Sequence, residues 1–372
     1  MAKGVAPHGG TGVSVQTARP WRSQPAGRRF AAIDIGSDTV HMLIAEVAPD
    51  STRVRTPLAT RRLITVHSES ELLELGKVVG RTGRITPAAE KSVGQALDRM
   101  VRRATKSGAT ILIAATEASR RAANGQDVLD RLSSRLKTPI RLLSPEREAE
   151  LGFAGVRADL PTRGELAVID SGGASTEVTL TRGRQLQRAT SLPIGAAGLA
   201  TQLVGDPPDP IDWALVAVSI GATLPGLPAG KPRHAYATGG TAHGLLAVGT
   251  LAVSHSAAGR ATISLIELDR IAGLLLERPS RRIGAAAQVD PRRVALLAPG
   301  ILIIGAILRH YGLVELTVVR AGVREGMIRS AAADPNHWWL DPASDDRAVV
   351  ATLELGQPKP ALPEPALPIA AS

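Results

Sequence analysis

The chain of 372 residues is 44% hydrophobic and 21% charged, enough apolar material for two buried cores. It has no cysteine, which excludes disulfide frameworks, thiol nucleophiles and cysteine-ligated zinc, and leaves carboxylates, hydroxyls and 8 histidines to carry any chemistry. The formal charge of +10 calls for an anionic partner, while aromatic residues at 2% speak against stacking on single-stranded nucleic acid.

Residues 1–29 hold Lys3, Arg19, Arg22, Arg28 and Arg29 and no acid; rich in Gly, Ala, Ser and Pro, they predict a disordered basic extension without the apolar stretch of a secretory signal. Strands are expected at 31–33 and 40–47 around a tight polar turn, a helix at 88–103, a buried strand at 110–114 and a helix at 125–137. A strand at 140–143 runs into Ser144-Pro145, an N-cap followed by Pro at the first helical position. The apolar run 294–308 is broken by Pro299 and two glycines, so it reads as a buried helix rather than a membrane span. From about Gln357 the chain is an extended Pro/Ala tail. Residues 331–372 carry a net −4 and residues 1–29 a net +5, leaving +9 on the body; the excess charge belongs to the folded part of an α/β protein.

One pattern occurs twice. Ala-Ala-Ile-Asp34-Ile-Gly36-Ser37-Asp38-Thr39 returns 136 residues later as Ala-Val-Ile-Asp170-Ser-Gly172-Gly173-Ala174-Ser175. Each copy is a buried strand ending in Asp, a Gly/Ser turn and a second strand. A single copy is compatible with an ordinary hairpin; two at domain-sized spacing predict a duplicated α/β domain with the turns facing across a cleft. Glycine lets backbone N–H groups approach a ligand, and Ser and Thr hydroxyls add donors, which makes a phosphate cradle. An Asp at each strand end would repel phosphate unless a hard divalent cation lay between them, so the pair implies Mg²⁺ or a similar metal.

The turns look like the two phosphate loops of the actin/Hsp70/sugar-kinase superfamily, and further segments resemble its exopolyphosphatase/guanosine pentaphosphate phosphohydrolase (Ppx/GppA) branch. These are Asp34 to His41, Thr116 to Arg120 with Asn124 and Asp127, Ser144-Pro-Glu-Arg-Glu148-Ala-Glu-Leu, Asp170 to Glu177, Ser191-Leu-Pro-Ile-Gly195, Thr238-Gly239-Gly240-Thr241 and Val323-Arg-Glu-Gly326, in the family's order over residues 30–330. The resemblance implies two actin-like (ribonuclease H-like) domains, 30–160 and 161–331, and a tail at 332–372. It implies hydrolysis of terminal phosphate from polyphosphate or the alarmone pppGpp, in the cytoplasm, with no nucleic acid or membrane partner and with a homodimer as a further expectation.

By the same resemblance Glu148 is the base for the attacking water and Arg120 a grip for the terminal phosphate. Asp170, Glu177 and Asp34 are the candidate holders of Mg²⁺ or Mn²⁺. Gly36, Ser37, Asp38, Thr39, Gly172, Gly173, Ala174, Ser175, Gly239, Gly240 and Thr241 are the phosphate-binding set. Read without the family, Glu148 and Arg120 are also compatible with solvated helix charges, Glu177 with a cross-strand salt bridge, and His41 with a satisfied strand histidine. Four positions depart from the family pattern: Asp38 for Asn, Ala174 for a third Gly, Glu74-Leu-Gly-Lys77 with acid and base exchanged, and Gly198 for Arg. They leave a second reading open, a weak or inactive polyphosphate- or alarmone-binding regulator; a sugar or acid kinase is a third.

Overall fold

The computed structural model describes residues 28–48, 62–252, 261–341 and 350–352. The apolar run after Arg29 lies in β1 (Arg28–Ile35), which turns through 36–38 into β2 (Thr39–Val47) and then β3 (Leu63–Leu72). β1 is central and covered on both faces, which is why its sequence is continuously apolar rather than alternating. β3 carries His67, Glu69 and Glu71, polar side chains that suit the edge of a sheet. The first half continues through α1 (Leu75–Thr82), α2 (Pro87–Lys106), β4 (Thr110–Ala115), α3 (Glu117–Arg121), α4 (Gly125–Leu136), β5 (Ile140–Leu142) and α5 (Pro145–Val156). Its sheet order is β3-β2-β1-β4-β5, with β1 antiparallel to β2 and parallel to β4. The Ser144 side chain accepts from the Arg147 N–H with Pro145 beside it, the start signal expected for α5.

The second half comprises β6 (Glu165–Ser171), β7 (Thr176–Arg182), β8 (Gln185–Leu192), α6 (Ala196–Ala200), α7 (Pro210–Gly221), β9 (His234–Thr238), α8 (Gly239–Ala252), β10 (Thr262–Ser264), α9 (Leu265–Glu277), α10 (Ser280–Ala287), α11 (Pro291–His310) and β11 (Glu315–Val318). In its sheet the run β8-β7-β6-β9-β11 repeats the order and directions of the first sheet; β10 is added beside β11, and β12 (Val350–Thr352) beside β8. The sequence repeat is therefore a duplication of a whole α/β unit. α11 is the one described helix long and apolar enough to cross a membrane, and 61% of its apolar stretch is buried within the second half, where Ile303, Ile304 and Ile307 are fully covered.

The chain then returns. α12 (Val323–Ala333) leaves the second sheet and packs on α5 and β1, so residues 323–331, expected in the second domain, complete the first. Met327, Ile328, Ala331 and Trp338 join Phe30, Ala32, Leu43, Leu112 and Leu143 in one core. Two glycines permit this crossing: a β-carbon at Gly155 would lie 1.9 Å from the Gly322 carbonyl oxygen, and one at Gly326 1.8 Å from that of Leu151. The expected C-terminal tail thus begins later than residue 332, because Arg147 binds the Trp338 carbonyl at 2.6 Å and Arg141 stacks 3.8 Å over Trp339. At the other end Arg28 and Arg29 belong to β1 rather than to the basic extension, and Arg29 bonds the Ser107 carbonyl at 2.7 Å. The rest of both expected tails, residues 1–27, 342–349 and 353–372, lies outside the described residues.

Candidate active site

Both Gly-containing turns close in the same way. Gly36 N–H donates to the Thr39 carbonyl at 3.1 Å, and Gly172 N–H to that of Ser175 at 3.0 Å. Register then places Asp34 opposite His41 and Asp170 opposite Glu177, so equivalent strand positions carry a histidine in one half and a second carboxylate in the other. N–H groups in or just before a following short helix take the carbonyls of each turn: Gly76 N–H binds Ser37 O at 2.6 Å and Leu73 N–H binds Asp38 O at 2.7 Å, while Ala196 and Ala197 N–H bind Gly172 O and Gly173 O at 2.9 and 2.8 Å. With the carbonyls held back, the N–H groups of Ser37, Asp38, Gly173 and Ala174 make no backbone hydrogen bond among the described residues. Donors arranged this way suit an anion.

The turns meet. A β-carbon at Gly173 would stand 2.1 Å from Asp38 Oδ2, so only glycine admits the Asp38 carboxylate there. Gly239, at φ 84°, opens α8 beside Asp170; a side chain there would be strained by the backbone and would meet Asp170 Oδ1 at 2.5 Å. Around these loops lies a cleft of about 490 Å³ between the two halves, walled by Asp34, Gly36–Thr39, Glu148, Asp170–Ser175, Glu177 and Gly239–Thr241. Every residue expected at the site lies on it except Arg120.

Arg120 sits behind Glu148. Its Nη1 donates to Glu148 Oε2 at 2.8 Å and to the Leu143 carbonyl at 2.7 Å, and its Nε and Nη2 reach Glu117 at 3.2 and 2.7 Å. Burial raises the Glu148 pKa and the Arg120 charge opposes that rise. Burial together with Glu148 pushes Asp34 up to about 7 and Asp170 to about 6. Glu177 rises to about 8 from burial and from the Glu148 and Asp170 charges, although Ser191 Oγ donates to it at 2.8 Å. His41 is held down at about 3 by burial and by Arg324 and Arg293, and is therefore a neutral ring on the cleft wall. Asp34 Oδ1 is buried with no hydrogen-bond partner. Three acids crowded at that cost are the groups here able to hold a cation, yet among the described residues no three His, Asp or Glu side chains close a metal site by themselves.

The sequence model of the Ppx/GppA phosphatase family matches residues 56–334. This chain belongs to that family. Exopolyphosphatase 2 of Mycobacterium tuberculosis is 30% identical over 329 residues, covering 82% of this chain and 98% of its own length. Exopolyphosphatase 1 of Mycobacterium leprae is 27% identical over 337 residues, covering 87% and 93%. The solved structure of the Aquifex aeolicus PPX-GPPA enzyme superposes with a TM-score of 0.66 at 26% identity over 82% of this chain and 99% of that one. An exopolyphosphatase from Cytophaga hutchinsonii gives 0.72 at 22% identity over 82% and 98%, a likeness of fold. The architecture is accordingly the two-domain actin-like one, and the chain is a phosphatase by family.

Within this Ppx/GppA chain, one expected donor is committed elsewhere and one expected phosphate-turn residue is a carboxylate. Thr241 Oγ1 bonds the Ser171 carbonyl at 3.0 Å, so it braces the second turn. Asp38 is pushed up to about 6 by burial and Glu74, against the pull of Arg293. The cleft also presents residues to which the sequence reading gave no role: Arg293, Arg320, Arg324 and His243. Arg324 lies in the quoted segment Val323-Arg-Glu-Gly326, so a signal existed. Arg293 is one arginine among many in an apolar helix and carried none.

Proposed function

We propose that this chain removes terminal inorganic phosphate from polyphosphate, and from pppGpp as a second substrate class, with Glu148 as the base. The observation that carries this reading is the place of Glu148: a buried carboxylate, oriented by Arg120, facing a cleft in which two glycine turns present unpaired N–H groups. Water loses a proton to Glu148 as its oxygen attacks the terminal phosphorus, and the P–O bond to the next phosphate breaks. The shortened chain leaves with the bonding pair, and the amides of Ser37, Asp38, Gly173 and Ala174 bind the equatorial oxygens. As in other phosphoryl transfers, positioning and charge stabilisation do most of the work.

The acids Asp34, Asp170 and Glu177 fit Mg²⁺ or Mn²⁺ in the manner usual for Mg²⁺, held by one or two carboxylates with the substrate's own oxygens completing its shell. The orphaned Asp34 oxygen and the raised pKa values support that reading, since a cation would relieve both. A bound cation would neutralise charge on the phosphoryl oxygens.

The regulator reading draws on Asp38, whose negative charge sits in the first turn against Gly173. Phosphate release from short polyphosphate, long polyphosphate, pppGpp and ATP, with Mg²⁺ present, separates the two. Turnover by the wild type that disappears in Glu148→Gln supports hydrolysis; tight binding of these anions without release by either protein establishes the regulator instead.

A further inference from the structure

Four of the five donors of Arg120 are occupied by Glu117, Glu148 and the Leu143 carbonyl, so the cation expected to grip the terminal phosphate is spent on positioning the base. Another cation must then meet the anion. Three arginines line the cleft. Arg293 already donates to Ser70 Oγ at 2.9 Å and sits at the Asp38 end, and Arg320 is exposed. Arg324 alone is half-buried among the carboxylates, where its charge acts on Asp34, Asp170, Glu325, His41 and His243. Among the described residues it makes no direct hydrogen bond or ion pair.

A partly desolvated guanidinium surrounded by acids but bonded to none of them leaves its planar fork free for a ligand. Its backbone is held firmly. Arg324 is the second residue of α12, the Gly322 N–H binds Glu325 at 2.8 Å to cap that helix, and the Gly155 and Gly326 contacts press α12 onto α5, the helix that carries Glu148. Base and free cation therefore stand on two helices in backbone contact.

From this we infer that Arg324 binds the terminal phosphoryl group of the substrate, through paired N–H···O bonds to two of its oxygens. The inference deepens the hydrolase reading and rests on it for the identity of the substrate, but the phosphate contact itself is testable without turnover. Guanidinium suits this task better than ammonium, because two parallel donors match two phosphoryl oxygens.

The test is binding of inorganic phosphate, and of tripolyphosphate, to the full chain with Mg²⁺ by calorimetry, alongside steady-state kinetics on polyphosphate. Arg324→Gln should weaken phosphate binding by about 10- to 100-fold, the loss of a charge-assisted bidentate contact, and raise KM for polyphosphate. Arg324→Lys should recover part of that affinity and still bind more weakly than the wild type. A merely structural arginine would alter thermal stability and leave phosphate affinity unchanged, and that result in Arg324→Gln overturns the inference. So does wild-type affinity in Arg324→Lys, which also serves as the deciding variant should Arg324→Gln not fold. Absence of phosphate binding by the wild type overturns it as well. If the wild type releases no phosphate from any substrate yet loses anion affinity in Arg324→Gln, the hydrolase reading fails and the Arg324 contact stands.

Discussion

Arg120 Nη1 and Glu148 Oε2 lie 2.8 Å apart, and the pair is largely enclosed, with side chains 14% and 13% exposed. The guanidinium both points the carboxylate and favours its ionised form against burial. Arg120→Met should therefore lower kcat and also move the acidic limb of the kcat/KM profile to higher pH, by a unit or more given about 4 kcal/mol for an ion pair at this range. An unmoved acidic limb, measured from pH 5 to 9, would separate Arg120 from Glu148 ionisation.

Replacing Glu148 by Gln keeps the shape and removes the base. We expect kcat to fall by about 10²- to 10⁴-fold, the usual span for a general base, with tripolyphosphate affinity within a factor of about three of wild type. Calorimetric binding beside the rate assay reads both.

Asp38 carries a carboxylate in the turn where we propose that the anion binds. Its pKa is about 6, so it is ionised above that pH and neutral below it. Asp38→Asn should lower KM for polyphosphate by about 3- to 10-fold at pH 8, roughly 1 kcal/mol of relieved repulsion. At pH 5 wild type and variant should converge. Equal KM values at pH 8 would show that the carboxylate does not face the substrate.

Crowded acids also govern stability. Unfolded carboxylates titrate near pH 4, whereas Asp170, Asp34 and Glu177 titrate at about 6, 7 and 8 in the folded, cation-free chain. Between those limits the folded state binds more protons than the unfolded one, so stability is greatest at the acid end and is lost as pH rises toward about 8. Calorimetric Tm in EDTA should fall by about 5 °C or more between pH 5 and pH 8. Added Mg²⁺ should restore Tm at pH 8 and change it little at pH 5, where protons already neutralise the acids.

The α5–α12 crossing predicts a linked loss. Gly326→Ala would force the helices apart at the Leu151 carbonyl, 1.8 Å from the added carbon, with a cost of about 1–3 kcal/mol for overpacking. Activity should fall further than stability alone dictates, because α5 carries Glu148. Urea unfolding and kcat on the same preparation compare the two.

The sequence made the duplication legible because each Asp-x-Gly turn is local: a strand, a glycine and a second strand within about ten residues. The place of Glu148 just inside a helix was legible for a similar reason, since the Ser144-Pro145 start is written in neighbouring residues, whereas the role proposed for it came from the family resemblance alone. What stayed hidden depended on contacts distant in sequence. Arg120 pairs with a glutamate 28 positions away, so its direction could not be read from the Thr116 to Arg120 segment. The Glu74 to Lys77 and Ser191 to Gly195 segments could be aligned with family motifs, but that Glu74, Gly76 and the Ala196 to Gly198 residues just after the second segment hold turn carbonyls away from the cleft emerges only when the loops are folded together. Domain membership of α12 was hidden because amphipathic spacing states that a helix has an apolar face, not which sheet will cover it.

That return of α12 to the first sheet has a consequence during synthesis. The face of β1, β2 and β4 bearing Phe30, Ala32, Leu43 and Leu112 is completed by Met327 and Ile328 of the last described helix and by Trp338 just after it, all of which leave the ribosome long after the first half. At about 5–20 residues per second, the first half waits on the order of 10–40 s after its own translation before that cover exists. A nascent chain halted before residue 323 would display an uncovered apolar sheet, and the helix that carries Glu148 would lack its partner until residues 323–333 have been made.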